Sequence, residues 1–111
     1  MSDNNPQKSS SMDGNLKTIA FLAKAMSDEN RLRILLSVSN GKKSVSSIVE
    51  ELELSQPLVS HHLRELKHSL LVTVERSGPF IYYEIADARI IKILEELKLV
   101  ASDLLANRTT F

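Results

Sequence analysis

The segment that most narrows the fold of this chain is Leu54-Ser55-Gln56-Pro57. Ser55 is a good helix N-cap, because its hydroxyl can accept a backbone N–H that the first turn leaves orphaned. Pro57 then falls inside that first turn, where its missing N–H costs nothing. Just upstream, Ile48, Val49 and Leu52 mark another helix near Ser46 to Glu53, with Ser47 and Glu50 as a capping box, or Ser44 or Ser46 as the cap instead. Only a very short connection separates the two. A tight turn between two short helices, the second polar on its outer face, is the helix-turn-helix pattern.

The second of these helices can be read by face. At 100° per residue, Val59, Leu63, Leu66 and Leu70 fall within a narrow arc, predicted to pack on the preceding helices. Pro57, His61, Arg64 and His68 lie opposite, flanked by Ser60 and Glu65, and must face solvent or a ligand. His62 sits at the edge of the apolar arc and reads as a packed or backbone-bonded histidine more readily than as a base reader. His68 lies one turn past the contact zone and reads as a solvated surface residue.

The remaining elements follow from periodicity. Leu16, Ile19, Ala20, Ala23 and Met26 predict a first helix from about Leu16 to Met26. Ser27-Asp28 offers a stop and a new N-cap, and Leu32, Leu35, Leu36 and Ser39 form the expected inner face of a helix ending at Asn40-Gly41. After Leu70 the period becomes alternating. Val72, Val74 and Arg76 alternate with Thr73 and Glu75, Ser77-Gly78-Pro79 marks a turn, and Phe80 to Ile85 is β-branched and aromatic, which predicts a hairpin. Asp87 should cap a final long helix carrying Ile90, Ile91, Leu94, Leu97, Ala101, Leu104 and Leu105, a stripe too long for so small a core to cover. The expected fold is mostly α with a small β-hairpin wing, in one domain over residues 16–107. Residues 1–15, nearly free of apolar side chains, are expected to form a flexible tail, and residues 108–111 a frayed end.

Composition excludes several classes. A chain of 111 residues without cysteine has no disulfide, thiolate metal site or thiol redox chemistry. No apolar stretch resembles a secretory signal or spans a bilayer, so no membrane partner and a cytoplasmic location are expected. No Gly-rich phosphate loop, nucleophile–base motif or paired-carboxylate constellation appears, so neither an enzyme nor a cofactor is expected. The 14 basic and 14 acidic residues cancel, which argues mildly against a nucleic-acid partner. The charge is segregated, however: Arg31, Arg33, Lys42 and Lys43 lie in an acid-free stretch, and Glu50, Glu51 and Glu53 cluster on the next element.

The order helix, helix, helix-turn-helix, hairpin, helix resembles the ArsR/SmtB family of repressors. The resemblance is carried by residues 22–35 (Leu22-Ala23-Lys24-Ala25-Met26-Ser27-Asp28-Glu29-Asn30-Arg31-Leu32-Arg33-Ile34-Leu35), by residues 54–63 from Leu54 through Ser60-His61-His62-Leu63, and by Ile81-Tyr82-Tyr83. It covers roughly residues 16–105. It implies a winged helix that dimerises through its first and last helices, which agrees with the uncovered stripes Leu16, Ile19, Ala20, Ala23 and Ile90, Leu94, Leu97, Ala101, Leu104. Family metal sites do not carry over. Where one uses cysteines on the third helix this chain has Val45-Ser46-Ser47, and the four last-helix ligand positions read Asp87, Arg89, Val100 and Asp103. A cation and an aliphatic side chain cannot ligate Zn²⁺. Glu95, Glu96 and Asp103 then read as a solvated face.

In a helix-turn-helix the second helix enters the major groove and its N-terminal residues reach base edges. Those residues are Gln56, Pro57, Ser60, His61 and Arg64. Gln56 suits adenine, and Arg64 suits guanine or a phosphate; Ser55 and the helix N-terminus offer N–H groups to a phosphate. Lys42 and Lys43 are candidate phosphate contacts, and Arg76 is the cation near the wing tip, where many family members carry a further cation at the place of Pro79-Phe80. The expected function is sequence-specific binding of double-stranded DNA by a homodimeric transcriptional regulator, a repressor by default, on an inverted-repeat operator. A small-molecule or protein effector is left open. The rival reading is a winged-helix protein–protein module, and clustered His61, His62 and His68 predict tighter DNA binding at pH 6 than at pH 8.

Overall fold

The structure is a computed structural model that describes residues 6–108, with side chains from Gly14 onward. Eight elements follow in order: α1 (Pro6–Ala25), α2 (Glu29–Ser37), β1 (Lys43–Ser44), α3 (Val45–Leu52), α4 (Gln56–His68), β2 (Val72–Ser77), β3 (Phe80–Ile85) and α5 (Arg89–Ala106). This is a winged helix-turn-helix. The first helix begins ten residues before the expected Leu16, so residues 6–15 of the predicted tail are helical. Pro6 fits a first helical position, and Gly14 is the one strong helix breaker beyond it. The rest of that tail and residues 109–111 of the predicted frayed end lie outside the described residues.

Local chemistry sets the boundaries of the middle helices. Asp28 caps α2 by accepting from the N–H groups of Asn30 and Arg31 at 2.8 and 3.2 Å. Among the alternatives for α3, Ser44 is the cap, its hydroxyl accepting from Ser47 N–H. Ser55 caps α4 by accepting from Leu58 N–H at 3.3 Å, with Pro57 in the first turn. At the start of α5 the Asp87 carboxylate accepts from Arg89 N–H at 2.9 Å, one residue ahead of the cap position itself, Ala88.

The core collects Ile34 and Leu35 of α2 with its C-cap Val38, Ile48 of α3, Val59, Leu63 and Leu66 of α4, and Leu71 and Val72, with Ala25 at the end of α1. Two expectations fail here. Leu36 is 52% exposed, because α2 turns Ile34, Leu35 and Val38 inward and leaves Leu36 on the wall of a groove shared with Leu94 and Leu97 of α5. Leu70 is 74% exposed, because α4 stops at His68 and the chain reverses through a positive φ of 66° at Leu70. Leu70 N–H donates to Lys67 O, and Leu71 N–H to Leu66 O, the two bonds of a Schellman ending that normally employs glycine.

The wing is a three-stranded antiparallel sheet in the order β1-β3-β2. β2 and β3 pair from Val72 with Ile85 to Ser77 with Phe80. Gly78, with φ of 61°, leads a two-residue connection completed by Pro79, which suits the twist of a hairpin. The two-residue β1, which periodicity did not announce, joins through Lys43 opposite Tyr83 and Ser44 opposite Tyr82.

α5 has no buried residue over its 18 positions. Ile90, expected at a dimer contact, is half-buried against the monomer's own core, and Leu94 is half-buried as well. Beyond them the helix projects past the core, with Leu97 58% and Leu104 66% exposed. Leu16, Ile19, Ala20 and Ala23 of α1 and Ala101 of α5 are likewise exposed. Among the described residues, no helix is long and apolar enough to cross a membrane.

Candidate nucleic-acid interface

The helix-turn-helix is built from α3, the three residues Glu53-Leu54-Ser55 of its turn and α4. α3 ends on Glu53 in the left-handed conformation (φ 56°, ψ 42°), its N–H donating to Val49 O at 2.9 Å. The chain passes through half-buried Leu54 to the Ser55 cap. Arg33 of α2 secures this corner: Nη2 donates to Leu52 O at 2.9 Å and Nη1 to Asn30 Oδ1 at 3.2 Å. One side of α4 is anchored by Val59, Leu63 and Leu66, all inaccessible or nearly so, which leaves the other side to face outward.

The outward side carries what the wheel predicted. Gln56, Pro57, His61 and Arg64 are exposed and Ser60 is half-buried. The Ser55 hydroxyl accepts as the cap and keeps its own O–H as a donor beside the backbone N–H groups there. Arg64 makes no hydrogen bond or ion pair with any described residue, and neither does Arg76 on exposed β2. A guanidinium held out from a rigid helix in this way can fork onto a guanine edge or a phosphate.

The two lysines are placed differently. Lys42 Nζ lies 2.8 Å from Glu75 Oε2 on the wing and 5.4 Å from the centroid of the Tyr82 ring. Lys43 Nζ pairs with Glu51 Oε1 of α3 at 2.5 Å and donates to Ser37 Oγ at 3.3 Å. Both are tied to the protein's own carboxylates rather than grouped with the α4 side chains. The Glu75 hydrogen bond, first of several causes, raises the Lys42 pKa, and the Lys43 and Ser37 hydrogen bonds lower that of Glu51.

His62 is 6% exposed and does not reach the outward side. Its Nδ1 accepts from Arg31 Nε at 3.1 Å, and its Nε2 lies 3.7 Å from Asp28 Oδ1. The packed reading therefore holds, with a side-chain partner in place of a backbone one. Burial is the main cause that pushes its pKa below 6.5; Asp28 opposes, while Arg31 and His61 add to the depression. Sequence reasoning assigned Arg31 no role. The signal available was the spacing of Asp28 and Arg31 at the head of α2, but only the fold shows that His62 meets them. His68 is exposed, its ring edge-on to Phe21 of α1 at 6.3 Å between centroids. At α5, Asp87 is gripped by Arg89, with Nη2 2.8 Å from Oδ2, so a cation already occupies the carboxylate.

These features define a winged helix-turn-helix regulator, and relatives place it further. The model described as "Bacterial regulatory protein, arsR family" matches residues 28–74, from the α2 cap into β2. An uncharacterized HTH-type transcriptional regulator of Methanocaldococcus jannaschii is 42% identical over 82 residues, covering 70% of this chain and 92% of that one. The arsenical resistance operon repressor of Staphylococcus aureus is 31% identical over 84 residues, covering 76% and 81%. Among solved structures, the homodimeric winged helix-turn-helix DNA-binding domain of a possible ArsR-family regulator from Mycobacterium bovis superposes with a TM-score of 0.71 at 25% identity, covering 100% of this chain and 99% of that one. The chain belongs to the ArsR family of transcriptional regulators.

Proposed function

We propose that this chain is a sequence-specific repressor that binds double-stranded DNA as a homodimer on an imperfect inverted repeat. The observation that carries the reading is the outward side of α4: Gln56, His61 and Arg64 stand exposed on a helix whose opposite side is locked into the core. Gln56 and Arg64 supply bidentate base contacts, with Ser60 and His61 beside them and Pro57 shaping the entry. Backbone N–H groups at Ser55 meet a phosphate, Arg76 on the wing meets the flanking backbone, and Lys42 and Lys43 join by exchanging their carboxylate partners. Pairing through α1 and the far end of α5 covers the apolar side chains that the monomer leaves in water, and the M. bovis relative is described as homodimeric. A compact dimer seated on a promoter represses by occlusion, and the S. aureus relative is named a repressor.

Selecting bound duplexes from a random pool tests this directly. The expected product is a motif with two half-sites about one helical turn apart, whose affinity falls with salt as counterions are released and collapses for His61→Ala/Arg64→Ala. Recovery of no motif, or equal binding by that variant, would leave the protein–protein module as the better reading.

A further inference from the structure

The contacts behind α4 form a chain that runs from α1 to the recognition helix. Arg31 Nη1 donates to Ala25 O, at the end of α1, at 3.4 Å. The same guanidinium donates through Nε to His62 Nδ1 at 3.1 Å. Asp28, whose carboxylate holds the first turn of α2, stands 3.7 Å from the other ring nitrogen. A second contact between the same two helices, Phe21 against His68, lies one turn earlier in α1 and at the end of α4. Thus α1, proposed above as a dimerisation helix, is fastened to the helix proposed to read DNA.

The chemistry of the Arg31–His62 bond is one-sided. A guanidinium donates only, so Nδ1 must be the acceptor, and the imidazole is neutral with its proton on Nε2. Adding a proton to Nδ1 removes the acceptor and sets two cations 3.1 Å apart. The charged and titratable groups facing the ring are Asp28 and Arg31 from α2 and His61 from α4; α1 contributes only the carbonyl that Arg31 holds.

We infer that His62 is a positioning residue for DNA binding: held by Arg31, it sets how α4 sits against the end of α1, and protonation of its ring releases that setting. This rests on α4 being the DNA-reading helix. The effect opposes the gain expected from protonating outward-facing His61 and His68, so the two must be separated. His62→Asn does so, because its amide oxygen can occupy the place of Nδ1, accept from Arg31 and not titrate, while His61 and His68 are unchanged.

The test is fluorescence anisotropy with the duplex selected above, for wild type and His62→Asn, from pH 7.5 to pH 5.5. Near pH 7.5 the two proteins should bind alike. At pH 5.5 the wild type should be weaker than the variant by roughly threefold, because a one-unit pKa difference between free and bound protein reaches its full tenfold only well below both values. A ratio that stays constant with pH would overturn the inference. An independent readout needs no DNA and no variant: in NMR spectra of the wild type, the amide resonances of Met26 and Arg31 should move with the titration of the His62 ring. Amides that stay still while the ring titrates would also overturn it. Failure of wild type to bind any duplex would instead remove the proposed function, and the NMR titration would still decide the coupling.

Discussion

Glu53 sits at the corner of the helix-turn-helix with a backbone that suits another residue. Its φ of 56° and ψ of 42° lie in the left-handed region, where a Cβ crowds the carbonyl and costs about 1–2 kcal/mol. Its carboxylate also follows the last turn of α3, at the helix's negative end, which costs about 0.3 kcal/mol for an exposed group. Glycine removes both penalties but gives the unfolded chain more freedom, returning about 0.5–1 kcal/mol. Taking the middle of each range, Glu53→Gly should stabilise the protein by about 1 kcal/mol.

Urea unfolding followed by circular dichroism measures this, at one fixed protein concentration because the stability of the proposed dimer would depend on it. A gain of that size raises the urea midpoint by roughly 0.5 M and the melting temperature by roughly 4–8 °C. Glu53→Ala is the control, since it removes the charge and keeps the Cβ. It should gain only the small charge contribution. If the glycine variant proved no more stable than the alanine variant, left-handed strain at this corner would be refuted.

Two further outcomes follow from the last helix. Leu97→Glu together with Leu104→Glu should convert the protein to a monomer by sedimentation velocity with its circular dichroism spectrum kept, since neither side chain supports the monomer core; an unchanged dimer would move the interface elsewhere. The Arg89 hydrogen bonds, side chain first and then backbone, hold Asp87 down at about 2. Its folded value lies below the ordinary 3.8, so its contribution is present above 3.8 and lost as pH falls through about 2. The pair is exposed, so the effect on stability should be small. In an NMR titration Arg89→Ala should raise the Asp87 pKa toward 3.8, and an unmoved titration would deny the pairing in solution.

What could be read in advance was what short-range rules decide. The Asp28 and Ser55 caps, the place of Pro57, the Gly78-Pro79 turn and the outward side of α4 each follow from residues within one turn of each other. What could not be read depends on partners distant in the chain. A two-residue strand such as β1 exists only because β3 lies beside it. Ile90 packs on the core because the hairpin delivers the start of α5 onto it. Leu70 fits the apolar period of α4 in every respect except that the helix has ended, and a leucine carries no mark of a left-handed backbone. His62 could be assigned to the interior, but not to Arg31, which lies 31 positions away.

The zero net charge, which spoke mildly against a nucleic-acid partner, looks different once the cations are followed to their contacts. Of the four in the acid-free stretch, Arg31 is bound to His62 and Ala25, Arg33 to Leu52 and Asn30, Lys42 to Glu75 and Lys43 to Glu51. Those side chains hold helix ends and fasten the wing and α3 to β1 and its approach. Arg64 and Arg76, lacking partners among the described residues, hold charge that on the proposed reading can meet phosphate without first breaking an internal bond. A whole-chain sum counts both groups alike, and so it measures neither the scaffold nor the proposed DNA face. Glu75 and Glu51 lower the net charge while occupying lysines that would otherwise attract any polyanion. Their presence suits the proposed reading, in which binding depends on the α4 side chains rather than on charge alone.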